Sequence, residues 1–256
     1  MKLCIVFDID ETLIHFISSP NYEVWEKTTE NNKRGLEYVE HKTEREVILF
    51  RPFIKDLFAF FMQFRDKISV GLWTYAGPEY AAEIGDAIKK MCGLPDDFFL
   101  FIYSVDEIED HSIAKDLRII YKNFPEVSNE GNTFLVDDLD TNVMHRINKQ
   151  NSIHIAPFAP YGRPEVRHIA SQADHNRSRK DVCFKDLMKI CGKLLREPGE
   201  QESELFASEK KIRELGLTSY YNRKNRMMTI GLSKSKSKSK SKTKSKSKTK
   251  TMKTQH

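Results

Sequence analysis

Three short apolar runs, each ending at a polar cluster, predict buried parallel strands in this chain. The runs are LCIVF (3–7), ISVGLW (68–73) and TFLV (133–136). A strand that is buried on both faces reads as a continuous apolar run, whereas a strand with one wet face alternates. The three runs therefore predict the central strands of a sheet that is covered on both sides.

Between these runs lie segments whose apolar residues recur at helical spacing. They are RPFIKDLFAFFMQF (51–64), GPEYAAEIGDAIKKM (77–91) and SIAKDLRIIYKNF (112–124). The first two carry a proline near the start, where a helix tolerates it. Because parallel strands need crossover connections, the alternation predicts an α/β fold, a Rossmann-like parallel sheet flanked by helices.

Other segments are less regular. Residues 18–45 are charged and are expected to form an insertion or a loose hairpin, and residues 98–112 a strand plus a loop or a small insertion. Two amphipathic patterns, at 181–197 and 203–216, predict helices in a C-terminal extension. The chain is thus predicted to contain three units.

The predicted units are an α/β domain at 1–160, a helical extension at 161–217 that packs on or flanks it, and a disordered tail at 218–256. The tail is rich in lysine and serine and offers little apolar surface to offset the entropy of an ordered chain. The 256 residues can bury one good-sized core.

The net charge of +5 is unevenly distributed along the chain. From Ser233 onward the sequence contains ten lysines and no acid. The rest of the chain has 32 of the 42 basic residues and all 37 acids, so residues 1–232 carry a net charge of −5. An acidic body therefore carries a basic tail.

The cysteines and the N-terminus point to an intracellular protein. The four cysteines show no CxxC spacing, and the histidines form no pattern with ligand spacing. The first apolar run is too short for a secretory signal, and no run approaches the roughly 18 apolar residues of a membrane span. We therefore expect a cytoplasmic or nuclear location and no membrane partner.

Polar residues follow each predicted strand. Asp8 and Asp10 follow the first, Thr74 the second, and Asp137 and Asp138 the third. Parallel strands would bring these residues to one edge of the sheet, where ligands of such folds bind. Four crowded carboxylates repel one another unless a cation neutralises them, and oxygen ligands favour Mg²⁺. The pattern predicts a Mg²⁺ site that binds a phosphate ester.

The two N-terminal acids are predicted to divide the chemistry. Asp8 comes directly after the strand, so its carboxylate is well placed to attack phosphorus and form an aspartyl-phosphate. Asp10 lies two residues further on and can protonate the leaving oxygen, then deprotonate the attacking water. A raised pKa of Asp10, favoured by burial beside other acids, would suit that role.

DIDET (8–12) resembles the DxDxT motif of the haloacid-dehalogenase superfamily. The chain resembles more closely the FCP/SCP branch, which are phosphatases of the RNA polymerase II carboxy-terminal domain. The matching stretches occur in the same order over residues 1–160. They are FDIDETLIH, VILFRPFIKDLF (with Phe53 where glycine is usual), VGLWTYAGPEYA, IAKDL and FLVDDLD.

This resemblance implies a role for each matched residue. Mg²⁺ would be held by the Asp8 carboxylate, the Asp10 backbone carbonyl and the Asp137 carboxylate, with Asp138 close by. Thr74 and Lys115 would bind the phosphate. The implied substrate is a phosphoserine or phosphothreonine in an extended peptide, the polymerase carboxy-terminal domain included.

One segment departs from the family pattern. Residues 103–115, YSVDEIEDHSIAK, contain four acids and no arginine, and Tyr103 stands where an arginine is expected. An acidic rim repels flanking phosphates. The departure favours substrates with a basic or neutral flank, or a role for the basic tail in attracting phosphate-rich partners.

The tail itself has three interpretations. It is a solubilising extension without a partner, or a segment at 233–253 that contacts nucleic acid or another polyanion without sequence preference. The third, a nuclear-import signal, fits less well because the lysines alternate with serine and threonine.

Three functions compete on the sequence alone. The first is a Mg²⁺-dependent phosphoserine/phosphothreonine phosphatase. The second is a polynucleotide 3′-phosphatase, which uses the same DxDxT chemistry, and the third is a catalytically idle scaffold of the same fold. The scaffold is disfavoured because all the matched site residues are present: Asp8, Asp10, Thr74, Lys115 and Asp137. The LWTYAGPEYA segment favours the protein phosphatase over the polynucleotide phosphatase.

Overall fold

The computed structural model describes residues 2–108, 114–145, 148–163, 168–169, 181–196, 218–219 and 228–231. The strands in these residues, in chain order, are β1 (Leu3–Phe7), β2 (Ile14–Ile17), β3 (Glu37–His41), β4 (Glu46–Phe50), β5 (Ile68–Trp73), β6 (Phe99–Tyr103), β7 (Thr133–Asp137), β8 (Ser152–Ile155), β9 (Gly162–Arg163), β10 (His168–Ile169), β11 (Thr218–Ser219) and β12 (Met228–Gly231).

The helices are α1 (Tyr22–Glu26), α2 (Glu30–Lys33), α3 (Ile54–Gln63), α4 (Pro78–Cys92), α5 (Leu117–Asn123), α6 (Asp140–Val143) and α7 (Cys183–Arg196). Short 3₁₀ turns lie at Ser19–Asn21, Val105–Glu107 and Asn148–Gln150. Among the described residues, no helix combines the length and the apolar character needed to cross a membrane.

The main sheet has the strand order β11-β12-β8-β7-β1-β5-β6. Its centre is parallel, because β1 pairs in parallel with β5 on one side and with β7 on the other. Phe7, the last residue of β1, is level with Leu72 and with Val136. The predicted α/β fold with a parallel sheet is confirmed, and the residues that follow β1, β5 and β7 meet at one edge.

The continuous apolar runs are explained by burial on both faces. Every residue of β1, β5 and β7 is buried. One face packs against an aromatic cluster in which the ring of Phe58 lies 6.2 Å from Phe7 and 5.7 Å from Phe99. The opposite face packs Val6 and Leu135 against Leu117 and Ile120 of α5.

Of the two expectations for the charged residues 18–45, the structure agrees with an insertion and not with a loose hairpin. β2, β4 and β3 make an antiparallel sheet, with α1 and α2 inserted between β2 and β3. Trp25 of α1 is fully buried, and its indole nitrogen donates to Glu40 of β3 at 3.1 Å. The sequence did not predict β2, β4 or β8.

The C-terminal helix α7 belongs to the same core as the main sheet. Its buried residues join the cluster that contains Phe7 and Phe58: Cys183, Phe184, Leu187, Ile190, Cys191 and Leu194. The packing agrees with a helix that lies on the core, whereas the division at residue 160 stays a prediction. The helix expected at 203–216 lies outside the described residues.

The structure differs from the sequence expectation within the tail. β11 and β12 fall inside residues 218–256, which were expected to be disordered. β12 pairs in parallel with β8, from Met228 beside Ile153 to Ile230 beside Ile155. The short apolar stretch MMTIGL (227–232) supplies a strand that covers the edge of β8. Residues 232–256 lie outside the described residues.

Candidate active site

The first part of the candidate site is the turn that follows β1. The backbone N–H of Asp8 continues the sheet by donating to Val136 at 2.9 Å, so Asp8 is held at the end of the strand. The chain then reverses: Leu13 donates back to Ile9 at 2.8 Å, and Glu11 adopts a left-handed φ of 59°. Left-handed backbone is unfavourable for a residue with a Cβ, and it is often retained at functional turns.

Lys115 lies at the centre of the buried charges. Its ammonium group is fully buried, donates to Asp8, and donates to Asp137 at 3.0 Å. Burial alone would lower the pKa of Lys115, but the adjacent carboxylates of Asp137 and Asp8 raise it above its usual value. The ammonium form is therefore retained, because each carboxylate favours the positive charge.

The Asp137 carboxylate is held by neighbours from the loop after β7. One oxygen accepts from the backbone N–H of Leu139 at 2.8 Å, and the other accepts from the Asn142 amide at 2.8 Å. The side-chain amide oxygen of Asn142 in turn accepts from the Tyr75 hydroxyl at 2.7 Å and from the backbone N–H of Lys115 at 3.2 Å. Asn142 thus connects the segments after β5, before α5 and after β7.

Three carboxylates form a cluster that can hold a metal ion. Oxygens of Asp8, Asp137 and Asp138 lie within 4.8 Å of one another, and all three residues are buried. Lys115 contacts two of the three, Asp8 and Asp137. A set of carboxylate oxygens such as this fits a hard divalent cation such as Mg²⁺.

The raised pKa of Asp8 also favours a cation site. Burial raises the pKa of Asp8 well above its usual range; Lys115 opposes this shift, while Asp137, Asp138 and Asp10 add to it. A divalent cation beside these carboxylates would favour their ionised form.

The Asp10 carboxylate is not one of these three and is held by hydrogen bonds to two hydroxyl groups. One carboxylate oxygen accepts from the Thr74 hydroxyl at 2.9 Å, and the other accepts from the Tyr80 hydroxyl. Burial and the nearby Asp10 raise the pKa of the Tyr80 phenol, which therefore stays protonated and donates. The Asp10 carboxylate is thus fixed by two donors, Thr74 after β5 and Tyr80 in α4.

The predicted site residues therefore fall into two adjacent groups. Asp8, Lys115, Asp137 and Asp138 form the buried charge cluster, and Asp10 and Thr74 form the second group. The sequence predicted four acids in one crevice; the structure groups three and directs the Asp10 carboxylate to hydroxyl donors. The backbone carbonyl remains the group by which Asp10 was expected to bind Mg²⁺.

One comparison with known proteins identifies the family of the chain. A sequence profile of the NLI interacting factor-like phosphatase family matches residues 3–187. The chain belongs to this family. The expected resemblance to FCP/SCP-type phosphatases of the haloacid-dehalogenase superfamily is thereby confirmed. No curated protein matches the sequence.

Solved structures with a similar fold include two of Fcp1. One is described as an essential RNA polymerase II CTD phosphatase; it is 17% identical, with a TM-score of 0.46 over 77% of this chain and 55% of the other. A fission yeast Fcp1 variant bound to beryllium fluoride is 18% identical, with a TM-score of 0.45 over 81% and 56%. The chain thus spans little more than half of these Fcp1 structures.

The described beginning of the acidic departure, residues 103–108, lies beside Thr74, whose backbone N–H donates to the Tyr103 carbonyl at 3.0 Å. Tyr103, where an arginine was expected, packs at the end of β6, with its ring 5.8 Å from Trp73 and its hydroxyl bonded to Asn123 at 2.8 Å. The next residues form a capped turn, since the backbone N–H and the hydroxyl of Ser104 both donate to Glu107. Asp106 remains exposed on this turn.

Sequence reasoning missed Tyr80, Asn142 and Arg51. Tyr80 lies in the quoted GPEYA segment, but nothing in a linear pattern shows that it reaches a residue 70 positions away. The buried Arg51 donates to the backbone carbonyls of Glu11 at 3.3 Å and Thr12 at 3.0 Å, and so holds the turn after Asp10. Its position at the start of a predicted helix was the available signal.

Proposed function

We propose that this protein is a Mg²⁺-dependent phosphoprotein phosphatase that hydrolyses phosphoserine and phosphothreonine through an aspartyl-phosphate on Asp8. The observation that carries the proposal is the buried cluster in which Lys115 contacts both Asp8 and Asp137, with Asp138 alongside and Asp10 fixed two residues from Asp8. Carboxylate oxygens that meet beside a buried cation fit a site for Mg²⁺ and a phosphoryl group.

In the first step, a carboxylate oxygen of Asp8 forms a bond to phosphorus and the ester P–O bond breaks. The leaving oxygen takes a proton from Asp10, which Thr74 and Tyr80 hold in place. Lys115, whose charge is retained, offsets the negative charge of the phosphoryl oxygens. The products are the free serine or threonine hydroxyl and the aspartyl-phosphate.

In the second step, Asp10 removes a proton from water and the resulting oxygen attacks phosphorus. The bond between phosphorus and Asp8 breaks, inorganic phosphate leaves, and the Asp8 carboxylate is restored. Asp8, Asp137 and Asp138, together with the Asp10 carbonyl, would hold the Mg²⁺ ion, which neutralises charge on the phosphoryl group when bound.

The substrate class is carried over from the family. The Fcp1 structures are described as those of an RNA polymerase II CTD phosphatase, and we extend a phosphoserine or phosphothreonine substrate to this chain as a proposal. We also propose a cytoplasmic or nuclear location, which the four free thiols support.

The test is Mg²⁺-dependent release of p-nitrophenol from p-nitrophenyl phosphate by the full chain, with Asp8→Asn beside it. The substitution keeps the size of the side chain and removes one negative charge, so the fold should remain and turnover should fall by at least about 10³-fold. Removing the metal with EDTA should abolish turnover, and adding Mg²⁺ should restore it. Appreciable activity in Asp8→Asn would rule out the nucleophile.

A comparison of two substrates separates this function from the alternatives. A phosphoserine peptide should be hydrolysed with a higher kcat/KM than a 3′-phosphorylated oligonucleotide. The reverse preference would identify a polynucleotide 3′-phosphatase. No turnover of either substrate by folded, Mg²⁺-loaded protein would identify a scaffold.

A further inference from the structure

Asn148 binds the backbone of Lys115 through its side-chain amide. It is the first residue of the 3₁₀ turn Asn148–Gln150, and it is fully buried. Its NH₂ group donates to the backbone carbonyl of Lys115 and, at 3.0 Å, to the backbone carbonyl of Asn142. Its amide oxygen accepts from the backbone N–H of Leu117 at 3.2 Å. One side chain therefore satisfies three backbone groups, two of them in the segment that leads into α5.

The partners of Asn148 fix both its orientation and its place. A side-chain amide has two donors on nitrogen and acceptors on oxygen only, so a rotated amide would point its oxygen at two carbonyl oxygens. The Asn148 backbone N–H donates to the carbonyl of His145 at 2.9 Å. Its own carbonyl accepts from the N–H of Asn151 at 2.7 Å and from the Ser152 hydroxyl at 2.8 Å. Asn148 is thus anchored at the start of β8.

Lys115 depends on side chains to hold its backbone. It lies outside any helix or strand, two residues before α5. Its N–H donates to the side-chain oxygen of Asn142 at 3.2 Å, and its carbonyl accepts from Asn148. Two buried amides therefore take the part that regular backbone pairing has in a helix or strand.

The same two amides connect the Lys115 backbone to the charge cluster. The NH₂ group of Asn142 donates at 2.8 Å to the Asp137 oxygen that also accepts from the Lys115 ammonium at 3.0 Å. Asn148 in turn holds the backbone carbonyl of Asn142. The backbone of Lys115, its ammonium group and its carboxylate partner are therefore tied together in one buried network.

We propose that Asn148 is a positioning residue that sets the place of the Lys115 ammonium between Asp8 and Asp137. It acts through the backbone of Lys115, because its side-chain bonds go to backbone groups. Its effect on turnover rests on the proposed function, whereas its effect on the ammonium group does not. A misplacement of about 1 Å at a catalytic group can lower the rate about 100-fold.

Asn132 supplies a matched control with the same hydrogen-bonding pattern. It is buried, and its NH₂ group donates to two backbone carbonyls, those of Lys2 at 2.6 Å and Val127 at 2.9 Å. Its amide oxygen accepts from the backbone N–H of Asn129 at 2.7 Å. It precedes β7, at the amino end of that strand, whereas the candidate site follows the carboxyl ends. Replacing either asparagine by alanine should therefore lower the melting temperature by a similar amount.

The kinetic experiment is a double-mutant cycle on the full chain, with p-nitrophenyl phosphate and Mg²⁺. Asn148→Ala should lower kcat/KM about 10- to 100-fold, and Asn132→Ala less than about threefold. In a Lys115→Met chain, Asn148→Ala should cost less than about threefold more, because the group that it positions is gone. Equal losses in the two alanine variants would overturn the proposal. An undiminished loss from Asn148→Ala in the Lys115→Met chain would also overturn it.

A measurement on the ammonium group itself does not need turnover. Buried ammonium protons that are bonded to carboxylates exchange slowly, so protein with ¹⁵N-labelled lysine should give a resolved ¹⁵N–¹H signal. Its absence in Lys115→Met assigns it. With Mg²⁺ present, this signal should shift or vanish in Asn148→Ala and stay in place in Asn132→Ala. An unmoved signal in Asn148→Ala would overturn the proposal.

Failure of the proposed function is recognised separately. If the wild-type chain does not hydrolyse p-nitrophenyl phosphate, the proposed function fails, and the lysine signal still decides the role of Asn148. If Asn148→Ala does not fold, Asn148→Asp takes its place, since it keeps the size and the acceptor for Leu117 and loses at least one donor. An unchanged kcat/KM together with an unmoved signal in Asn148→Asp would overturn the proposal.

Discussion

Lys115 and Arg51 are both fully buried cations bonded to aspartates, and they occupy very different electrostatic surroundings. Lys115 contacts Asp8 and Asp137, with Asp138 beside them. Arg51 pairs with a single carboxylate, Asp181, through its Nε at 2.8 Å and its Nη2 at 2.7 Å. The remaining Arg51 hydrogens bond to neutral backbone carbonyls.

Arg51 finds one opposite charge and all of its hydrogen-bond acceptors within the protein. Its carbonyl partners belong to Glu11, Thr12 and Ala156, and the rings of Phe158 and Phe184 lie 5.8 and 5.5 Å from the guanidinium. It therefore joins the turn after Asp10, the chain after β8 and the start of α7. Lys115 instead contacts two carboxylates, with that of Asp138 beside them, and these oxygen donors would suit a divalent cation. The two cations thus differ in their partners, since Arg51 pairs with one carboxylate and Lys115 with two.

The largest expected effect is that of Lys115→Met. Losing the cation that faces the phosphoryl group should lower kcat/KM by about 10³-fold. Without Lys115 the acids repel one another, so the melting temperature should fall without metal and recover strongly with Mg²⁺. Calorimetry with and without Mg²⁺, beside the wild type, measures this. A loss of kcat/KM below tenfold would contradict the role of Lys115 at the phosphoryl group. A stabilisation by Mg²⁺ no greater than that of the wild type would contradict a metal-binding cluster of acids.

Arg51→Met should act on stability, and Mg²⁺ should not repair it. Removing one partner of a buried pair leaves Asp181 unpaired and should reduce the free energy of unfolding by about 3–5 kcal/mol. Asp181→Asn on top of Arg51→Met removes the unpaired charge and keeps the bond to the Cys183 N–H, so the double variant should be no less stable than Arg51→Met. Urea unfolding of the wild type, Arg51→Met and the double variant tests this. Recovery of the stability of Arg51→Met on adding Mg²⁺ would contradict the difference between Arg51 and Lys115.

Tyr80→Phe should have an intermediate effect that depends on the leaving group. Without the phenol, Asp10 loses one of the two donors that orient it, so proton donation weakens. The rate should fall about 10- to 100-fold for an alkyl phosphate and much less for an aryl phosphate with an acidic phenol. The slope of log kcat against leaving-group pKa measures it.

Tyr75→Phe is the matched control for Tyr80→Phe. Its hydroxyl bonds to Asn142 and not to Asp10. Tyr75→Phe should therefore lower the rates of all substrates by a similar factor. If the two variants show the same leaving-group slope, Tyr80 does not position the acid.

The smallest effect concerns the backbone beside Arg51. Phe53 precedes α3 with a left-handed φ of 67°, and its ring lies 3.9 Å from the Lys185 ammonium of α7. Phe53→Gly relieves the backbone and Phe53→Ala does not, although both lose the ring. The glycine variant should be more stable than the alanine variant by about 1 kcal/mol in urea unfolding. The opposite order would show that the left-handed backbone at Phe53 is not strained.

Much of the fold could be predicted because β1, β5 and β7 are buried on both faces. Their sequences are continuous apolar runs, and the amphipathic segments between them match α3, α4 and α5 within a few residues. β2 and β4 were missed because they pair within the inserted sheet, where a strand is recognised only through its partner.

The sequence predicted which residues belong to the candidate site but not which of them contact one another. Asp8, Asp10, Thr74 and Asp137 were found because each follows a buried strand, and Lys115 because it lies in a recognised family motif. The contact of Tyr80 with Asp10 joins residues 70 apart, and the bond of Arg51 with Asp181 joins residues 130 apart. Hydrogen bonds over such separations leave no periodic pattern in the chain.

The sequence by itself determined the buried parallel strands, the acids at their ends and the separation of an acidic body from a basic tail. These features depend on local polarity, which each segment carries wherever it lies. Only the tertiary structure decided that Lys115 faces Asp8 and Asp137, that Asp10 is held by two hydroxyls, and that β12 pairs with β8 in the main sheet. Those features depend on strand order and on long-range packing, which bring distant residues to within a few ångströms of one another.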